Sequence, residues 1–469
     1  MDLFRKKQVV YSDLPDNEFK RSLSAFQLVL FGIGVVIGAG LFSITGIAAA
    51  QNAGPAIIYA FLIAALGSLF AGLCYCELAT MIPVSGSAYT YAYASFGELV
   101  AWIIGWDLIL EYAIGASTVA ISWSSYFISV LNDFNIPFPI ALAESPWQGD
   151  GKGIINLPAI LILGVLTAIM ISGIRRSSLF NASMVILKLL VIFVFIVVGW
   201  SYIDHSNYTP FIPPNTGEFG AFGISGILKA SGVVFFAYIG FDAISTVAQE
   251  TKNPSRNLPI GMLGSLGICA ILYVLFAYVL TGMVNYKDLD VAAPIAVAID
   301  KTPYPWLKEA IKLAVLAGFS SVILVLMIGQ SRIFYTMSKD GLLPPFFSVL
   351  HPEFKTPWIS NLMLFILACA FSGFVPISVV GHMTSIGTLF AFVIVCLGVM
   401  VLRYRHPEIP RPFKTPLMPL IPLLGVFTCG LMIFSLGADN WLRLAIWLIV
   451  GMFIYIFYGY HNAKLKDEG

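Results

Sequence analysis

Gly34-Val35-Val36-Ile37-Gly38-Ala39-Gly40-Leu41-Phe42 lies inside an apolar stretch, residues 29–50, and its reading decides the fold. Glycines 34, 38 and 40 stand at spacings of four and two. Each costs a helix up to about 1 kcal/mol relative to alanine. Two readings stay open. Small residues four apart let a second helix pack closely, as Gly-xxx-Gly faces do in membranes. Alternatively, the chain unwinds here between two half-helices. The outer half-helix then presents free N–H groups and a positive dipole end at mid-membrane, a place for a carboxylate.

A second interruption favours the unwound reading. Phe235-Phe236-Ala237-Tyr238-Ile239-Gly240-Phe241-Asp242 breaks another apolar stretch with a glycine and an acid. It falls five stretches after the first. Interruptions at matching positions of two halves point to a transporter site built from inverted repeats.

The composition places both stretches in a bilayer. Of 469 residues, 58% are hydrophobic and 11% charged, where a soluble domain is about one quarter charged. Such a chain cannot cover a soluble surface with polar groups. Long apolar stretches without strand alternation indicate helices rather than a barrel. The net charge of +1 argues against nucleic acid as a partner.

A span needs about 20 mostly apolar residues. Twelve stretches qualify: 29–50, 56–82, 98–129, 157–173, 182–201, 224–248, 260–284, 309–336, 358–374, 384–402, 418–436 and 441–460. With both termini in the cytoplasm, eighteen of the 26 lysines and arginines fall inside and seven outside, as the positive-inside rule requires. The remaining one, Lys188, belongs to neither side. The expected organisation is a cytoplasmic segment at 1–28, a first repeat at 29–201 and an inverted second repeat at 224–402. Two further spans at 418–460 and a cytoplasmic tail at 461–469 follow. Residues 1–27 are polar, so no signal peptide is expected there, and the protein is expected in a cell membrane, plasma or inner. The six cysteines lie in apolar stretches and read as small buried residues. No histidine pair has metal-ligand spacing.

Gly34–Gly46 (GVVIGAGLFSITG), Pro83–Tyr91 (PVSGSAYTY), Gly105–Tyr112 (GWDLILEY), Phe235–Asp242 (FFAYIGFD), Glu250–Gly261 (ETKNPSRNLPIG) and Gly329–Pro344 (GQSRIFYTMSKDGLLP) together resemble the amino acid–polyamine–organocation superfamily, specifically its cationic amino acid transporter branch. The resemblance implies an all-α membrane fold: a five-plus-five inverted repeat of the leucine-transporter type, discontinuous helices 1 and 6, and two extra C-terminal helices. It implies an amino acid substrate. The Gly38, Ala39 and Gly40 amides, beside Val36, would take the carboxylate. Carbonyls around Phe235, Phe236, Ala237 and Ile239 would take the ammonium, with the Phe236 ring as gate. Leu326 and Met327 would line the pocket. Many relatives have threonine where this chain has Ala39, so a hydroxyl contact is lost.

The charged residues set the coupling. Lys188 lies in the apolar run Met184–Val198, where an ammonium costs a few kcal/mol or more. One reading is a stem that snorkels to the inner interface. The other is an amine standing where sodium-coupled relatives hold Na⁺, with Ser320 and Ser321 as hydrogen-bond partners; those serines also read as packing residues. Asp107 and Glu111, four apart, share a helix face. Glu111 is expected in a buried proton-coupling network, and Asp107 in a structural or gating role. Asp242 is expected to cap the inner half-helix, Glu77 to anchor an inner loop, and Tyr89, Tyr91 and Tyr93 to form an aromatic interface stretch.

The chain thus reads as a proton-coupled importer of L-amino acids working by alternating access, with amino acid, H⁺ and lipid as partners and no cofactor. Small neutral substrates such as alanine are favoured, with breadth extending to cationic ones. A sodium-coupled symporter and an exchanger keep the same fold. A membrane enzyme would need a catalytic cluster, and the spans hold none. A monomer is the working expectation.

Overall fold

Polar residues open the helices. Ser24 Oγ accepts the Gln27 amide at 3.4 Å while Gln27 Oε1 accepts the Ser24 amide at 2.9 Å, a capping box at the head of α1 (Ala25–Val36). Asn156 caps α6 (Leu157–Ile171) through the Ala159 amide at 3.2 Å. Proline stands in the first turn of α9 (Pro254–Met283) and α10 (Pro305–Lys339), where its missing N–H costs nothing. The other long helices are α2 (Ile57–Met81), α3 (Ser87–Ser95), α4 (Glu98–Ile109), α5 (Gly115–Asp133), α7 (Ile174–Trp200), α8 (Gly223–Val234), α11 (Trp358–Phe374), α12 (Ile377–Arg405), α13 (Leu420–Ser435) and α14 (Ala438–Ile454). A π-helical turn, Leu110–Ile114, joins α4 to α5.

The computed structural model describes residue 21 and residues 23–84, 86–147, 152–291 and 293–464. Most of the N-terminal segment expected at 1–28, and the last residues of the tail at 461–469, lie outside the described residues. Among the described residues there is no strand, only one bridge between Leu23 and Thr251.

Each of the twelve apolar stretches holds helix. Eight helical runs are long and apolar enough to cross a membrane, by length and composition. The shorter apolar helices are α1, α6, α11 and α13. At 1.5 Å per residue, the 15 residues of α6 cover about 22 Å of a hydrocarbon core of about 30 Å.

α7 shows how the bundle separates lipid from interior. Ile186, Leu190, Phe193, Val197 and Trp200 recur at spacings of four and three and are all exposed, so they form one stripe. Lys188 lies off that stripe and is fully buried. α10 packs against its stem, with Gly318 facing Lys188 Cβ.

At the end of the bundle near both termini, polar groups tie the helices together. Buried Glu77, at the end of α2, accepts Arg403 Nε at 3.1 Å and the Thr415 amide at 2.7 Å. Arg411 Nε lies 3.3 Å from it. Arg332 NH2 donates to Glu250 at 2.7 Å and its NH1 to the Thr246 carbonyl at 3.2 Å, a buried ion pair. Near the opposite end of α10, Lys312 pairs with Asp133. Tyr89, Tyr91 and Tyr93 correct the expected interface stretch: they lie on α3 and are buried. Tyr75 explains part of this, meeting Tyr91 edge-on at 6.0–6.1 Å as it does Phe241. Tyr89 donates to Asp340 at 2.8 Å.

Candidate functional site between two broken helices

α1 stops at Val36. Ile37 turns to extended backbone (φ −78°, ψ 103°), and coiling restarts from the Gly38 carbonyl, which accepts the Leu41 and Phe42 amides at 3.1 and 3.2 Å. A helix start has amides with no preceding turn to bond to, and here these include Ala39 and Gly40. The second break follows α8. A 3-10 turn, Phe235–Tyr238, leads to extended Ile239 and to Gly240 at φ +102°, a conformation open to glycine. Coiling resumes at Ala243–Thr246.

The breaks touch. A Cβ on Gly40 would collide with the Ala237 backbone, and one on Gly240 with Val35. Glycine at 40 and 240 therefore serves contact between the two broken segments. Tyr273 of α9 reaches both: its hydroxyl lies 2.6 Å from the Val36 carbonyl and 2.9 Å from that of Ala237.

The carbonyls at the end of α1 lack intrahelical donors, and the helix dipole is negative there. Lys188 Nζ supplies the missing donors, to Gly34 O at 2.7 Å and Ile37 O at 2.9 Å. Snorkelling is thus not the conformation seen. Ser321 Oγ donates to the same Gly34 carbonyl at 3.3 Å and to Gly318 O at 2.9 Å. Ser320 donates to Leu316 O at 2.9 Å. Neither serine bonds the amine directly, which corrects the expected pairing: an intrahelical carbonyl sits closer to each hydroxyl. Ser321 instead shares an acceptor with Lys188.

Val35, Val36, Gly38, Ala39, Gly40, Gly115, Val119, Phe236, Ile239, Val322 and Leu326 enclose a cavity of ≈ 10 Å³ between the breaks. That is room for about one water. An amino acid enters only after wall side chains withdraw. Three residues expected at this site are not in its wall. Phe235 meets the Phe392 ring edge-on at 5.6 Å, Ala237 packs against Gly40, and Met327 is buried. Val35, Gly115, Val119 and Val322 line the cavity without having been singled out from the sequence. Helical spacing carries the signal for one of them: Val322 precedes Leu326 by four.

Carboxyl groups gather next to this site. Asp242, at the head of the resumed helix, makes no capping hydrogen bond. Its Oδ2 accepts Tyr112 at 2.6 Å and Ser87 at 3.3 Å, so the expected cap is replaced by a bridge to α3 and the π-turn. The cap is absent because Asp242 itself has helical backbone (φ −68°, ψ −22°) rather than the extended conformation that carries an N-cap side chain back to the next amides. Glu111 faces Asp242 and Thr388. Asp107 is buried, with no hydrogen-bond partner among the described residues. No carboxyl group lines the cavity itself. Among the described residues no His/Cys/Asp/Glu group could hold a metal ion.

Two broken helices facing each other around a shut cavity, inside an apolar helical bundle, are the architecture of a multi-pass membrane transporter rather than an enzyme. The chain belongs to the amino acid permease family, whose pattern it matches over residues 23–458. It is 40% identical over 466 residues to a methylthioribose transporter of Bacillus subtilis, covering 99% of each chain. A branched-chain amino acid permease of the same organism is 40% identical over 472 residues, again with 99% of each covered. The cationic amino acid transporter 5 of Arabidopsis thaliana is 36% identical over 418 residues, 89% of this chain and 70% of that one.

Proposed function

We propose that this chain is a proton-coupled importer of L-amino acids working by alternating access in a cell membrane. Twelve crossings carry both termini in the cytoplasm. The first ten form inverted repeats at 29–201 and 224–402, and residues 418–460 add two more. The observation that carries the coupling is the Lys188 amine on the Gly34 and Ile37 carbonyls, at the point where α1 breaks. A protonated amine clamps that break to α7, and Ser321 ties the same Gly34 carbonyl to α10. An amine without its extra proton loses most of its attraction for the dipole end, so α1 is freed to tilt. Glu111 and Asp242, joined through Tyr112 and the π-turn, carry the same event to the second break.

The substrate is a neutral amino acid with a small or branched aliphatic side chain. Its carboxylate meets the Ala39 and Gly40 amides, and its ammonium meets the carbonyls of the second break. Val35, Val119, Val322 and Leu326 offer apolar contact, and no carboxyl lines the cavity to pair with a cationic side chain. The branched-chain permease among its relatives agrees with this choice.

The test is uptake of labelled alanine, leucine and arginine into proteoliposomes under an imposed proton gradient or an imposed sodium gradient, with methylthioribose as competitor. Accumulation of alanine or leucine that follows the proton gradient is expected. Uptake that follows sodium and ignores pH overturns the coupling; transport blocked by methylthioribose but not by amino acids overturns the substrate.

A further inference from the structure

A second cavity, of ≈ 420 Å³, opens at the end of the bundle away from Arg21 and Lys464. It is set between the start of α8, the start of α12 and the turn from α13 into α14. Its volume falls in the range of small-ligand sites. It shares no wall residue with the site between the broken helices.

Its charge is uneven. Lys229, Arg443 and His382 all line it, and both cations act electrostatically on the imidazole. Among the described residues no carboxylate pairs with any of the three. Among the described residues Arg443 donates only to the neutral Asn440 Oδ1, at 2.8 Å. The one acid in the wall is Asp439, which is exposed. With the imidazole neutral, the wall carries two positive charges against one negative. The same wall holds Ala438 and Asp439, in the first turn of the 17-residue α14; among the described residues their amides have no backbone acceptor, and with the helix dipole they favour an anion. Beside the cavity, Phe434, Trp441 and Leu442 are exposed and apolar, so its rim borders on the lipid-facing surface.

We propose that this basin is an oxyanion site, taking a phosphate or carboxylate group between Lys229, Arg443 and the first turn of α14. Phosphate on a lipid headgroup and phosphate free in solution present the same chemistry, and the two are separable. The purified full chain, in neutral detergent, is titrated with a short-chain phosphatidylglycerol and, separately, with inorganic phosphate, and binding is followed by calorimetry. Saturable binding of at least one is expected. Binding of the lipid alone assigns a headgroup site; binding of both assigns a site for the free anion. K229Q/R443Q is expected to weaken binding at least tenfold. D439N, an exposed change that does not depend on the fold tolerating lost cations, is expected to tighten it several-fold. No saturable binding of either probe overturns the proposal. So does unchanged affinity in D439N, or in a K229Q/R443Q protein that keeps the wild-type melting temperature.

Discussion

The hydroxyl of Tyr273 lies 2.6 Å from the carbonyl oxygen of Val36, and it reaches the Ala237 carbonyl at 2.9 Å. One side chain on α9 thus holds the ends of both broken helices. Tyr273→Phe keeps the ring and removes that link. Leaving buried carbonyls without a donor costs about 1–3 kcal/mol. A lower melting temperature in detergent, together with slower uptake, is expected. An unchanged melting temperature would show that the carbonyls find other donors.

Lys188→Ala removes two donors from the end of α1 and leaves a gap beside Gly318. Gradient-driven accumulation is expected to disappear, while exchange of labelled for unlabelled substrate across the membrane persists. Concentrative uptake at the wild-type level in proteoliposomes would separate the amine from coupling.

Gly240→Ala forces a Cβ into a backbone at φ +102° and against Val35. Strain and overpacking together are worth about 2 kcal/mol or more. Maximal uptake rate is expected to fall well below wild type. Full activity in an initial-rate assay would mean that the breaks need not touch.

Leu326→Ala withdraws a wall of the closed cavity. Bulkier substrates should gain relative to alanine by about tenfold or more, the range that one or two methylenes command in an apolar pocket. Competition of phenylalanine against labelled alanine reads this directly; an unchanged ratio would place Leu326 away from the bound side chain.

Glu77→Gln leaves Arg403 and Arg411 without their buried counter-charge. Breaking such a pair from one side costs about 3–5 kcal/mol. Thermal unfolding followed by light scattering should move several degrees down, and Glu77→Asp should recover part of the loss.

The breaks were legible because glycine is a costly residue inside a helix, and Gly38, Gly40 and Gly240 stand out against an apolar background. Lys188 was legible for a similar reason, as a charge in the wrong solvent. Its direction was less so: only the exposed stripe from Ile186 to Trp200 shows that the amine faces inward. Tyr273 was not legible at all. It is one of 20 tyrosines, and its partners lie 237 and 36 residues away. Val35, Val119 and Val322 are aliphatic residues among aliphatic residues, so composition cannot single them out. Asp242 was expected to cap the inner half-helix, but its backbone is already helical, so its side chain is not turned back to the first amides and Oδ2 meets Tyr112 instead. Ser320 and Ser321 follow the same logic: hydroxyls in a helix turn first to the carbonyl behind them.

The closed cavity between the breaks holds about one water. A carrier that shuts so tightly on itself drags almost no solvent through the membrane when it resets. Between the breaks it leaves no room for a file of water along which protons could run unaccompanied. On the cycle proposed above, Phe236, Val322 and Leu326 close the space that the solute leaves, and how well they fill it sets leakiness.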